Sequence, residues 1–312
     1  MVEKSLHDIR KKGILNVFFV VNPLASIVIE LLIRKFQFDS SNIQVVSVRN
    51  TSLEILNYNS IYIQPKRHHL MMQKILFSSY TGKQILKNVK RDFILYTPFS
   101  FRDSNYLINS KKCKGHFYIE EGQGSYLHSE PYDYKKLTFH HKIITNFRNK
   151  ENFGDGNGNF YRNDSGGFIA IHPDSFPSIS DNKKFFLKNL DSLKSTYIPK
   201  IKGIKNIALG CAERRLNNGR WETMIDTLIK IMPSTGIIKL HPSFYVSRSN
   251  VERIEKYVKY KTNSRISICP NFVILELEML HETKTIYGPQ TSLSSYTKLL
   301  GSKFVEVRLF EW

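Results

Sequence analysis

The sequence predicts an α/β protein of two parallel-sheet domains with a cleft between them. Short apolar runs alternate with helically spaced segments as far as Ile119, and the same alternation starts afresh after a polar, lysine-rich stretch at residues 178–202. The length agrees: 312 residues, at about 150 per domain, make two domains, and 41% apolar with 12% aromatic content fills two cores. The expected division is 1–190 and 191–312.

Residues 17–21 form an apolar run that stops at Asn22-Pro23, and Leu24, Ile27, Val28, Leu31 and Leu32 then follow at helical spacing. Strand, loop and helix are expected in turn. Further strands are expected at 43–48, 60–64, 93–96 and 116–119, with a helix over 69–85. From 126 to 167 the pattern dissolves into an Asn- and Gly-rich stretch expected to be a mobile loop. Asp155, Asn157 and Asn159 have calcium-loop spacing, but Phe160 stands where the turn needs glycine and Gly166 where the bidentate glutamate belongs. No calcium site is expected. The second half repeats the rhythm with strands at 206–210, 236–240, 265–269, 285–287 and 303–309, and helices at 221–231, 274–281 and 292–300. In open sheets of this kind ligands lie at the carboxyl ends of the strands.

Lys plus Arg (46) less Asp plus Glu (27) leaves a formal charge of +19, which favours polyanionic partners. The basic residues are scattered; Lys111, Lys112 and Lys114 are the densest group outside the leader Arg10, Lys11 and Lys12. With no RNP, zinc-finger or helix-turn-helix signature, nucleic-acid binding is a rival reading and not the favoured one. Three cysteines, Cys113, Cys211 and Cys269, have no short spacing and build neither a disulfide framework nor a zinc pair, so a reducing compartment is expected. The apolar stretch 14–33 superficially resembles a signal anchor, but Asn16, Asn22-Pro23, Ser26 and Glu30 interrupt it.

Three constellations carry chemistry. Glu120-Glu121-Gly122 follows an apolar strand, which puts two carboxylates at a strand end on a turn whose glycine permits unusual backbone angles. Neighbouring like charges push one carboxyl toward a pKa useful for accepting a proton, although a solvated acidic turn is the plain alternative. His241-Pro242 ends the strand at 236–240; the proline biases the histidine toward extended backbone, from which the imidazole can donate a proton or hydrogen bond to an anionic leaving group. A second pair, His172-Pro173, precedes the polar connection and is set aside as a decoy. Thr291-Ser292 opens a helix after the turn Gly288-Pro289-Gln290, and helix N–H groups with two hydroxyls suit one phosphate, an ordinary N-cap being the alternative. Glu276, with Glu278 as competitor, can reach a ribose diol from the preceding helix.

In this order the three motifs resemble the signature of the bacterial sialyltransferases, the group of lipooligosaccharide, capsule and polysialic acid enzymes. Phe18 to Leu24 is also similar to the opening strand and Pro-Leu loop of the lipooligosaccharide members. The resemblance implies a fold of two Rossmann-like domains (the B-type glycosyltransferase class), an acceptor-binding N-terminal domain, and a C-terminal domain that binds CMP-sialic acid. It implies inversion at the anomeric carbon without a metal or other cofactor. Glu121, favoured over Glu120, would be the base, and His241, with Pro242, would serve the departing phosphate. Thr291 and Ser292 would hold that phosphate, Glu276 the ribose, and Gly122 would shape the turn on the donor side. The Asn22 loop would contact the glycan acceptor. Two departures stand out: the acidic pair lacks Asp, and Thr-Ser replaces the usual pair, leaving Ser294-Ser295 as a second phosphate register. The expected location is cytoplasmic, with peripheral association at the anionic inner membrane face, where lipid-linked acceptors occur. The closest rival is another B-type transferase with a different nucleotide-activated donor.

Overall fold

The computed structural model describes residues 2–47, 57–63, 80–99, 102–126, 161–162, 164–212, 216, 221–233 and 235–309. The chain divides into two compact units, residues 1–189 and 190–312. Each contains a parallel sheet with Rossmann-like topology, the pair of parts from which the B-type glycosyltransferase fold is made.

The first unit runs α1 (Val2–Lys11), β1 (Leu15–Val20), α2 (Pro23–Phe36), β2 (Ile43–Ser47), β3 (Ser60–Tyr62), α3 (Tyr80–Asn88), β4 (Phe93–Thr97), α4 (Arg102–Ile108), β5 (Cys113–Ile119), α5 (Gln123–Tyr126), β6 (Phe168–Ala170) and β7 (Lys184–Phe186). Its strands are ordered β3-β2-β1-β4-β5-β6-β7, all parallel, so the order reverses between β1 and β4. Every residue of β1 is buried, as a strand covered on both faces requires. Leu15, Val17 and Phe19 enter an aliphatic cluster with Leu95 and Ile85. On the other face Phe18 stacks on Tyr96 at 4.5 Å, and Tyr96 on Phe117 at 5.5 Å. Each such side chain contributes roughly 1.5–3 kcal/mol on leaving water.

The second unit runs β8 (Asn206–Leu209), α6 (Trp221–Ile231), β9 (Gly236–Lys239), α7 (Arg248–Thr262), β10 (Ile266–Ile268), α8 (Leu275–His281), β11 (Thr285–Gly288), α9 (Ser292–Leu299) and β12 (Lys303–Glu306). Its order is β10-β9-β8-β11-β12, again parallel, with the reversal between β8 and β11. Met224, Ile225 and Leu228 of α6 pack with Ile254 and Val258 of α7 over Ala208 and Ile238.

The interrupted stretch 14–33 is β1 followed by α2. Its polar residues are absorbed: the Asn16 side chain donates to the Ile14 carbonyl (3.0 Å) and accepts from the Tyr96 hydroxyl (3.0 Å), and Glu30 pairs with Arg34 at 2.6 Å. No described helix is long and apolar enough to cross a membrane. Elements outside the sequence expectation include α1, α4, β6, β7 and α7. The basic leader is helical because Val2, Leu6 and Ile9 form a buried stripe against α2 and β7. The polar connection contributes β7 to the first sheet, where three residues are too few to show a period. Helix α7, absent from the expectation, buries the narrow stripe Ile254, Val258 and Thr262 in an otherwise charged segment. Of the expected helix at 69–85, residues 69–79 lie outside the described set; so does most of the loop at 126–167, including Asp155, Asn157 and Asn159.

Candidate functional site

In the first unit the carboxyl ends of β1, β4, β5 and β6 lie side by side, and the acidic pair stands at the end of β5. Alternation along the strand turns the two glutamates to opposite sides. Glu120 is fully buried: one carboxylate oxygen accepts the backbone N–H groups of Ile171 (2.6 Å) and His172 (3.0 Å), and the other accepts the Tyr126 hydroxyl (2.7 Å). Glu121 is only partly buried, and its Oε2 accepts from Asn22 Nδ2 at 3.0 Å. The same Nδ2 donates to the Glu121 carbonyl, while Asn22 Oδ1 accepts from Ala25 N–H at 2.9 Å and caps α2. One amide therefore ties the start of α2 to the catalytic candidate across the end of β4, and its three bonds fix which end is oxygen. Gly122 follows with φ 118°, a conformation that side chains rarely adopt. Beside the turn, burial and then the charge of Glu121 push the Tyr161 phenol above its ordinary range.

His172 is the residue the sequence set aside. It stands just past β6, next to the acidic turn, with Tyr126 edge-on to its ring at 5.4 Å and its Nδ1 accepting from Asp174 N–H at 3.1 Å. The sequence sets the pair aside because it precedes the polar connection and lacks the strand-helix-strand setting of His241-Pro242, and Tyr126 belongs to no motif.

In the second unit, His241 follows β9 with extended backbone (φ −64°, ψ 144°), the conformation that Pro242 favours, and is exposed. Its Nδ1 accepts from Ser243 N–H at 3.1 Å, which leaves the neutral ring's proton on Nε2. Across the switch point from β8, Thr291 is the N-cap of α9, extended, with no side-chain capping bond. Its hydroxyl oxygen is buried and has no hydrogen-bond partner among the described residues. The Ser294 hydroxyl donates to the Thr291 carbonyl at 2.6 Å and is thereby occupied. Gly288 precedes this turn, and a Cβ there would meet Leu209 Cβ at 2.8 Å, so the close approach of β11 to β8 depends on glycine.

The two glutamates of α8 divide as the acidic pair does. Glu278 is buried and accepts from the Tyr197 hydroxyl (2.7 Å) and from Lys200 and Ile201 N–H (2.7 and 3.3 Å), a bolt that holds the preceding chain. Glu276 is half-buried, and its desolvation pushes the carboxyl above its ordinary range. Lys239, on the same face of the strand end as His241, spans to the loop before α8 and donates to the carbonyls of Pro270, Asn271 and Val273 at 2.8, 2.8 and 3.0 Å. Nothing in the sequence marked that lysine. Among the described residues no group of three His, Cys, Asp or Glu could hold a metal.

No family model matches the chain, and no curated protein matches it. Solved structures resemble the chain at low similarity. UDP-N-acetylglucosamine 2-epimerase from Rickettsia bellii is 13% identical over 95% of this chain and 79% of its own, with TM-score 0.48. Anabaena Alr3699/HepE in complex with UDP and glucose is 9% identical over 94% and 80%, at 0.45. A glycosyltransferase from Rickettsia africae is 12% identical over 93% and 78%, at 0.40. Likeness at this level says nothing of donor, acceptor or reaction.

Proposed function

We propose that the chain is a glycosyltransferase that moves a sugar from a nucleotide-activated donor to a glycan hydroxyl, with CMP-sialic acid as the donor. The observation that carries the reading is the division of labour at the acidic turn: Glu120 is consumed by three donors, whereas Glu121, partly exposed at a strand's carboxyl end, is held ready by Asn22.

In this reading Glu121 takes the proton of the acceptor hydroxyl as its oxygen attacks the anomeric carbon. The bond to the phosphate breaks with its electron pair, inverting the centre through an oxocarbenium-like state. His241 Nε2–H donates to the phosphate oxygen on which charge collects, and the N–H groups of α9 with the Thr291 and Ser292 hydroxyls hold the other oxygens. Ser294 is spent on the Thr291 carbonyl, which favours the Thr291-Ser292 register. Glu276 accepts from the ribose diol. A single phosphate carries less charge than a pyrophosphate, so the residues named suffice without a metal clamp. The acceptor in this reading is a lipooligosaccharide or capsule glycan on the cytoplasmic face, and a charge of +19 draws the protein to an anionic surface.

A second reading has a nucleoside-diphosphate sugar as donor, the kind of nucleotide seen in the Anabaena structure. Calorimetric titration with CMP, UDP, GDP and CDP separates the two. CMP is expected to bind at least tenfold more tightly than UDP, about 1.4 kcal/mol. A preference for a diphosphate overturns the sialyl donor.

A further inference from the structure

The acidic turn is closed by a ring of contacts that the transfer reaction does not itself use. Tyr126, at the end of the four-residue helix α5, donates to Glu120 Oε1 at 2.7 Å. One residue earlier on that helix, Ser125 Oγ accepts the Glu121 backbone N–H at 3.0 Å, and the Ser125 carbonyl accepts Phe176 N–H at 2.7 Å. On its other oxygen Glu120 holds the amides of Ile171 and His172 at the end of β6. The circuit therefore runs from Glu120 through Tyr126 and Ser125 back to the amide of Glu121, and a second arm anchors it to the neighbouring strand. Glu120, Ser125 and the β6 end are buried, so the bonds from Glu120 to Ile171 and His172 lie in a medium where an unmade partner is costly, and those of Tyr126 and Ser125 are partly shielded.

We propose that Glu120 and Tyr126 are positioning residues, whose bonds to each other and to the end of β6 fix the direction in which Glu121 presents its carboxylate. The role attached to Glu121 rests on the function proposed above; the clamp itself does not. Glu120 thus leaves the pair of candidate bases, and Tyr126 joins the machinery although no motif contains it. Glu120 holds His172 by its backbone N–H, while the His172 ring packs edge-on against Tyr126.

The test uses the full chain and two readouts. In native-state hydrogen exchange, Glu120→Gln is expected to speed exchange of the Ile171 and His172 amides about tenfold, since a carboxamide oxygen accepts more weakly than a carboxylate. Tyr126→Phe is expected to speed the Glu121 amide, and Glu121→Gln to leave the Ile171 and His172 amides unchanged. In transfer assays with CMP-sialic acid, Glu120→Gln and Tyr126→Phe are expected to lower kcat about tenfold with donor KM and the acid limb of the pH profile unmoved, while Glu121→Gln removes that limb. Wild-type exchange at Ile171 and His172 in Glu120→Gln, or loss of the acid limb in that variant, overturns the proposal. A wild-type protein that transfers nothing from CMP-sialic acid would refute the donor reading, with the exchange experiment still deciding the clamp.

Discussion

Two pairs of glutamates follow one physical rule: where two carboxylates share a strand end or a helix turn, the buried one is engaged by peptide N–H groups and a tyrosine, and the other faces outward. Glu120 and Tyr126 repeat in the first unit what Glu278 and Tyr197 do in the second. Glu276 is left with a carboxyl whose desolvation raises its pKa, a cost to the folded state. The sign follows from linkage. The penalty is full above the raised folded pKa and disappears as pH falls below the unfolded value, near 4.3 in model peptides. Glu276→Gln is therefore expected to raise the melting temperature at pH 7, to lose that advantage near pH 4, and to weaken CMP binding about tenfold by replacing the charged ribose acceptor with a weaker carboxamide oxygen. Thermal unfolding at the two pH values and calorimetry check both halves.

At the scale of the element, β5 carries a buried histidine whose titration bears on stability. His116 is buried in mid-strand, its Nε2 has no hydrogen-bond partner among the described residues, and burial pulls its pKa down to about 4 despite Asp164 Oδ1 at 3.8 Å. A histidine neutral in the fold and ordinary when unfolded gives the unfolded state more bound protons between the two pKa values. Stability is expected to fall as pH drops from about 6.5 to about 4, by up to roughly 3 kcal/mol, and to change little from this group outside that window. Denaturant titrations of His116→Gln should show a flatter dependence across the same interval. The elements themselves were legible where apolar runs were long: β1 and β4 are buried throughout and read as continuous stretches, and β5 is buried and legible from His116 to Ile119. Helix α7 was not, because Ile254 and Val258 are too narrow a stripe in a charged helix, and β6 and β7, at three residues each, show no period. His172 was discounted because its pair precedes the polar connection and lacks the strand-helix-strand setting of His241-Pro242. The side chains of the motifs were visible as residue types, but the partners that separate Glu120 from Glu121 come from Tyr126, Ile171, His172 and Asn22, up to 99 positions away.

For the whole molecule, the parallel sheets place the chemistry by topology. Asn22 and Glu121 flank the reversal between β1 and β4, and Thr291 and His241 flank that between β8 and β11, the positions at which open α/β sheets bind ligands. The reaction proposed asks the two units to serve one donor, the first with a base and the second with a hydrogen-bond donor and a phosphate cradle. The most direct measurement is product formation from CMP-sialic acid and a panel of galactose- and sialic-acid-ended glycans, run on the wild type and on folded Glu121→Gln and His241→Ala proteins. Expected is a sialylated glycan with an equal amount of CMP, lowered at least a hundredfold by either substitution, about 2.7 kcal/mol of barrier. Turnover of a UDP-sugar in place of CMP-sialic acid, or sialyl transfer that survives both substitutions, would contradict it.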